Sequence, residues 1–145
     1  MSTYTQIFYH IVFSTKNRVP CLTKANREAL FRYIWGIIKN NRSHLYRING
    51  VEDHIHILTN LHQSVCLADI LHDIKISSSK WIKQNSIFQN FTNWQDGYGA
   101  FTHSIKDKDI IIEYIKNQEE HHRRATLIDE YKRLLLEAGI EFDEK

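Results

Sequence analysis

The run Val51–Leu58 limits the possible folds of this chain more than any other stretch. Its apolar residues are mostly β-branched, and it carries two histidines two residues apart. Because side chains alternate between the two faces of a strand, His54 and His56 project from one face and the intervening isoleucines from the other. The pattern therefore predicts a strand with one apolar face and one face that can hold a metal.

Two imidazoles make an incomplete metal site. Neutral imidazole is the commonest metal-ligating side chain, but protein metal sites generally use at least three ligands. His54 and His56 would therefore need a third ligand from another part of the chain. A second interpretation stays open, in which the polar face of the strand carries histidines without a metal, since the pattern is short and the chain contains 9 His.

Residues 110–122 have the spacing of a helix that can supply the third ligand. Residues i and i+4 share a helix face, so Tyr114 and Gln118 point the same way. A hydroxyl then lies beside an amide oxygen. Tyr114 could also be a half-buried packing residue. Four neighbours could take the place of Gln118 as a ligand: Glu113, Glu119, His121 and His122.

Four regions carry a family resemblance through their order and spacing. They are Tyr4–Gln6 leading into His10–Lys16, then Asp53–His56, Trp94–Phe101 and Tyr114–Arg123. Together they resemble the single-tyrosine HUH transposases of small bacterial insertion sequences, the IS200-like transposases. The chain keeps the family pattern at both histidines, the tyrosine and the glutamine.

The resemblance implies a transposase that cleaves and rejoins single-stranded DNA with hairpin ends. Tyr114 would attack the scissile phosphate, giving a 5′-phosphotyrosine link and a free 3′-OH. A tyrosine with an unperturbed pKa near about 10 is a poor nucleophile. The resemblance implies that a divalent metal, Mg or Mn, on His54, His56 and Gln118 makes the phosphate more reactive. It also implies a homodimer, in which the tyrosine helix can act in the partner's site, and no nucleotide cofactor.

The predicted elements follow the order of a ferredoxin-like (RRM-like) α+β sandwich. Strands are predicted over 4–14, 44–51, 54–60 and 100–104, and helices over 24–40, after Ser64, over 107–122 and from 125 or 126 to 138. In this topology the first and third strands are neighbours in the centre of an antiparallel sheet. Helices cover one face, and the C-terminal helices carry the tyrosine.

Composition limits the class of protein without identifying its partner. A net charge of +2 and a pI near 8.5 neither prove nor exclude a nucleic acid. Two cysteines are too few for a disulfide framework, and no apolar run approaches the roughly 20 residues that cross a bilayer. We therefore expect a soluble, cytoplasmic protein without a membrane partner. It should form one transposase domain over 1–145, with a catalytic core over about 4–105 and the C-terminal helices over about 107–139.

Local clusters supply candidates for DNA contact. Lys16 and Arg18 lie in a basic turn after the first strand, and solvated loops often have this composition. The second helix carries cations and hydroxyls that could follow a phosphate backbone, or form an ordinary solvated face: Lys75, Ser78, Lys80 and Lys83. Aromatic residues over 88–98 could stack on unpaired bases or anchor a loop in the core.

Two other functions remain open from the sequence. A non-catalytic module for single-stranded nucleic acid would need neither His54 nor Tyr114 and would bind in the presence of chelator. A metal-dependent nuclease on His54 and His56 would use water as its nucleophile, so Tyr114→Phe would leave its activity intact. The transposase alone requires both metal and tyrosine.

Overall fold

A four-stranded antiparallel sheet forms the centre of the computed structural model, which describes residues 1–141. The strands are β1 (Phe8–Ser14), β2 (His44–Gly50), β3 (His54–Asn60) and β4 (Gly99–His103). Their order is β2-β3-β1-β4, so β1 and β3 are the two central strands. The predicted ferredoxin-like topology is confirmed. The last four residues of the predicted domain 1–145 lie outside the described residues.

Five helices accompany the sheet within residues 1–141. They are α1 (Lys24–Asn40), α2 (Leu67–Gln84), α3 (Lys108–Lys116), α4 (Gln118–Arg124) and α5 (Leu127–Glu137). Thr126 caps α5, since its side chain accepts a hydrogen bond from the backbone N–H of Asp129 at 3.3 Å. No helix in the described part of the chain combines the length and apolar character of a membrane span.

The two faces of the sheet pack against different helices, because strand side chains alternate. On one face, Ile11 and Ile55 are among the strand residues that join α1 and α2 in the main core. On the other face, Leu58 packs with Ile111 of α3, and Val12 packs with Leu127 of α5. His54 and His56 belong to this second face, so the C-terminal helices cover them.

The predicted bounds agree closely with the structure except at two elements. β1 begins at Phe8 rather than at residue 4. The single helix predicted over 107–122 is two helices, because Asn117 has φ −96° and ψ 26°, which interrupts the helix between α3 and α4. Gln118 still donates to the carbonyl of Tyr114 at 3.4 Å, so the two side chains remain neighbours across the break.

Gly50 and Gly36 should respond oppositely to alanine. A Cβ at Gly50 would lie 2.5 Å from the carbonyl oxygen of His54, a backbone atom at the β2–β3 junction that cannot give way cheaply. We expect Gly50→Ala to lower the free energy of unfolding by about 2 kcal/mol or more. Gly36 lies within α1, where a Cβ would meet no atom within 4 Å, so Gly36→Ala should raise it by up to about 1 kcal/mol. Urea denaturation measures the free energy of unfolding of both variants. Equal changes in the two variants would contradict the expected packing.

Candidate active site

Three elements bring the four predicted site residues together within one chain. His54 and His56 on β3 are fully buried, as is Gln118 at the start of α4. The amide Oε1 of Gln118 lies 3.3 Å from Nε2 of His54. The ring of Tyr114, from α3, lies 5.8 Å from the ring of His56, centroid to centroid. The nucleophile candidate and the three ligand candidates therefore surround one space above the histidine face of β3.

Each histidine has its second nitrogen occupied by a neighbour. Nδ1 of His54 lies 2.7 Å from Oδ1 of Asp53, and Nδ1 of His56 lies 2.8 Å from Nε2 of His10 on the adjacent strand β1. These contacts orient both rings with Nε2 toward the space shared with Gln118. Metal-ligating histidines are typically held in this way by a carboxylate or another polar partner.

Glu130 of α5 lies in the same space, although it was not among the site residues predicted from the sequence. Its side chain is 4% exposed, with Oε1 2.7 Å from Nε2 of His56 and Oε2 3.5 Å from Nε2 of His54. A signal was present in the sequence: Glu130 lies three residues after Leu127 and four before Leu134, on the apolar stripe of α5. A carboxylate in a buried stripe needs a partner, but the pattern could not identify which one.

The hydroxyl of Tyr114 has one acceptor and one donor within reach. It donates to Oε1 of Glu130 at 2.6 Å and accepts from Nη2 of Arg133 at 2.7 Å. Burial and the carboxylate of Glu130 raise the pKa of Tyr114, and the nearby guanidinium of Arg133 only partly opposes them. The phenol is therefore protonated in this arrangement.

Charges in the cluster compensate one another. Burial alone would lower the pKa of His54, but the hydrogen bond to Asp53 and the nearby carboxylate of Glu130 outweigh it and raise that pKa to about 9. Burial lowers the pKa of His56, and burial with the nearby His56 and His103 lowers that of His10 to about 3. Burial would raise the pKa of Glu130, yet contacts with His54 and His56 lower it overall. The acidic partners thus favour the protonated form of His54, and the histidines favour the carboxylate form of Glu130.

The donor atoms fit a divalent metal. Ligand atoms of His54, His56 and Glu130 lie within 4.8 Å of one another. Oε2 of Glu130 is buried without a well-directed hydrogen bond and lies 3.5 Å from Nε2 of His54, although buried polar atoms nearly always have a hydrogen-bond partner. Imidazole nitrogens with carboxylate or amide oxygens are suitable ligands for first-row divalent metals. A metal in place of the His54 proton would satisfy Oε2 of Glu130.

Three of the four residues that could compete with Gln118 have other contacts. Glu119 forms ion pairs with Lys24 and Arg27 of α1. His121 stacks on Tyr114 with ring centroids 4.6 Å apart. Nε2 of His122 lies 2.8 Å from Glu52, although an alternative group of potential ligands joins His122 with Asp53 and His54.

The DNA-contact candidates occupy two separate regions. Lys16 and Arg18 are exposed in a short 3₁₀ turn after β1. The preceding residue, Thr15, donates its backbone N–H to the carbonyl of Asp53 at 2.9 Å. This turn therefore lies at the same end of the sheet as His54, where a contact with bound DNA stays a prediction.

The candidates on α2 lie on the opposite face of the sheet from the histidines. Lys80 and Lys83 are exposed, whereas Lys75 donates to the carbonyls of Gln95 and Gly97 at 2.9 and 2.6 Å. Ser78 is fully buried, and its Oγ accepts from the indole of Trp94 at 2.9 Å. These positions place Lys75 and Ser78 in the packing between α2 and the loop before β4.

The aromatic residues of that loop mostly belong to the core. Phe88, Phe91 and Trp94 are buried, and Trp94 packs edge-on against Phe13 with ring centroids 5.0 Å apart. Tyr98 is more exposed, at 38%. The three buried rings therefore anchor the loop in the core, which is one of the two roles predicted for this segment.

Ser78→Ala should destabilise the protein, because it leaves the buried indole N–H of Trp94 without an acceptor. We expect the free energy of unfolding to fall by about 1–3 kcal/mol. Ser77→Ala is the matched control, since its hydroxyl bonds Asp73 at an exposed site and should change stability by less than about 0.5 kcal/mol. Unchanged stability of Ser78→Ala with weaker oligonucleotide binding would instead favour a DNA contact.

Comparisons with known proteins agree with this architecture. Residues 3–118 match the family model described as "Transposase IS200 like". A candidate transposase from Deinococcus radiodurans R1 is 20% identical, with a TM-score of 0.63 over 81% of this chain and 95% of that one. A REP-associated tyrosine transposase bound to a REP hairpin is 16% identical, with a TM-score of 0.61 over 84% of this chain and 74% of that one. Among curated proteins, none matches the chain.

Proposed function

The chain belongs to the IS200-like transposase family, and we propose that it cleaves and rejoins single-stranded DNA through a 5′-phosphotyrosine intermediate on Tyr114. Membership makes it a DNA-processing enzyme. The observation that supports the finer proposal is the convergence of Tyr114 and Gln118 on His54 and His56. We propose Gln118 and the two histidines as ligands of a divalent metal, Mg or Mn.

The proposed reaction exchanges one phosphodiester for another. When bound, the metal would supply Lewis acidity to the scissile phosphate. The Oη of Tyr114 loses its proton and attacks phosphorus, the bond to the 3′ oxygen breaks, and the 3′ oxygen takes up a proton from solvent and leaves as a 3′-OH. The proton of the hydroxyl already points to Oε1 of Glu130. The guanidinium of Arg133, 2.7 Å from the same hydroxyl oxygen, favours negative charge there. The number of phosphodiester bonds is conserved, so no nucleotide cofactor is needed.

We propose single-stranded DNA with hairpin ends as the substrate. The REP-associated structure of similar fold is bound to a REP hairpin, and the exposed Lys16 and Arg18 lie at the histidine end of the sheet. Contacts from a few cations to phosphates would hold DNA without reading its sequence. A cytoplasmic location agrees with such a substrate and stays a prediction.

We also propose the homodimer predicted from the sequence. Tyr114, Gln118 and the histidines meet within a single chain, so assembling this cluster requires no second copy. Exchange of the tyrosine helices between two copies would bring the same side chains together in the partner's site. A tyrosine acting in the partner therefore stays a prediction.

A covalent adduct assay tests the proposed chemistry. We expect the protein to form an adduct with labelled single-stranded oligonucleotides from the flanks of its gene in the presence of Mg or Mn, as seen on denaturing gels. Tyr114→Phe and EDTA should each abolish it, because both nucleophile and metal are required. Tyr33→Phe is the matched control, since it removes a hydroxyl that bonds Ser77 on the other side of the sheet.

The two alternative functions predict different results in this assay. Cleavage that survives Tyr114→Phe without an adduct would indicate a nuclease that uses water. Binding in EDTA without cleavage of the flank oligonucleotides would indicate a binding module. Either result would contradict the tyrosine mechanism.

Asp53→Asn should weaken metal binding while the fold remains intact. The carboxylate holds Nδ1 of His54 at 2.7 Å, and loss of such a partner typically costs roughly 10–100-fold in metal affinity. Isothermal titration with Mn²⁺ measures the change. Glu52→Gln is the neighbouring control, because that carboxylate bonds His122 instead. Equal affinities for wild type and Asp53→Asn would show that Asp53 does not support the ligand.

A further inference from the structure

We propose that Glu130 is a fourth ligand of the metal and that its other carboxylate oxygen positions the hydroxyl of Tyr114. This inference rests on the proposed function, since it adds a ligand to the site of His54, His56 and Gln118. Glu130 would then join the nucleophile to the metal through a single side chain. The family match ends at residue 118, so this ligand would come from outside the matched region.

The distances around the carboxylate fit coordination. Two ligands on one ion, each about 2.0–2.2 Å from it, lie at most about 4.4 Å apart. Oε1 of Glu130 is 2.7 Å from Nε2 of His56, and Oε2 is 3.5 Å from Nε2 of His54. Ligand atoms of all three side chains lie within 4.8 Å of one another, so the side chains can share one ion after small shifts.

The two oxygens of Glu130 have different surroundings. Oε1 accepts the hydrogen bond from Tyr114 at 2.6 Å. Oε2 is buried without a well-directed hydrogen bond and lies 3.5 Å from Nε2 of His54. A buried carboxylate oxygen that faces the histidines without such a bond is what a bound cation would satisfy. We assign Oε2 to the metal and Oε1 to the nucleophile.

Charge gives a reason for a carboxylate at this position. His54, His56 and Gln118 would all be neutral ligands, whereas Mg and Mn bind best to sites with anionic oxygen. A buried carboxylate is costly without a compensating partner. The negative charge of Glu130 and the positive charge of the bound metal would therefore compensate each other.

The fold holds Glu130 in place through its own helix. Leu127 and Leu134, one on each side of it along α5, pack against Val12 and Phe101 of the sheet. Tyr131 lies against Gly99 so closely that a Cβ there would come within 2.6 Å of the tyrosine oxygen. This packing fixes α5 against the histidine face. Glu130 is thereby held in a defined position, as a metal ligand must be.

A competing role for Glu130 makes the opposite prediction. The carboxylate could occupy the place that a phosphate would take, as an anionic plug on the two histidines. Removing its charge would then leave metal affinity unchanged or increase it. A ligand role predicts a loss, so one titration separates the two roles.

The experiment is a titration of the full chain with Mn²⁺, followed by isothermal calorimetry and by electron paramagnetic resonance of free Mn²⁺. We expect Glu130→Gln, which keeps the shape of the side chain, to weaken Mn²⁺ binding by at least about tenfold. Asp129→Asn is the matched control, because it removes one charge from a neighbour on the same helix that faces away from the cluster, and its affinity should equal that of wild type. Circular dichroism verifies that each variant is folded.

Each outcome has a distinct meaning. Unchanged or tighter binding by Glu130→Gln overturns the inference, while loss of binding in His54→Ala would leave the proposed metal site standing. A folded wild type that binds no Mn²⁺ would instead contradict the metal-dependent function itself. Should Glu130→Gln fail to fold, Glu130→Asp provides the test. It retains the charge on a shorter side chain and should bind Mn²⁺ more weakly than wild type, and wild-type affinity would overturn the inference.

Discussion

The side-chain alternation of β3, in the centre of the sheet, dictates how the other elements pack. A central strand has no free edge, and both of its faces must be covered. Ile55 and Ile57 meet α1 and α2, while His54 and His56 lie on the opposite face. The C-terminal helices therefore have to pack over two imidazoles, and they must bring polar partners to do so.

Those partners determine the character of the site. A buried imidazole pair is tolerated only when its nitrogens are satisfied, and four different elements contribute to this. His10 comes from β1 and Asp53 from the turn before β3. Gln118 and Glu130 come from α4 and α5. The hydrogen bonds and charges that stabilise the buried histidines are thus the same ones that orient them for chemistry.

Local periodicity accounts for the elements that were predicted well. The bounds of α1 and β3 agree with the structure residue by residue, because their apolar spacing is regular and strong turn residues flank them. The break at Asn117 was missed, since Asn is compatible with either a helix or a helix end. The burial of Ser78 is hidden for a similar reason: a serine between lysines resembles a solvated face, and only the position of Trp94 shows that it is buried.

The amino-acid sequence was sufficient to predict the order of the elements, which indicated the sheet topology. It also predicted the shared face of His54 and His56 and the proximity of Tyr114 to Gln118, because periods of two and of about four residues are local properties. Which groups complete the cluster depends on tertiary packing alone. His10 is 46 residues from His56, and Arg133 is 19 residues from Tyr114. Such contacts arise from how strands pair and how α5 packs on the sheet, and no local pattern in the chain encodes the partner of a buried polar atom.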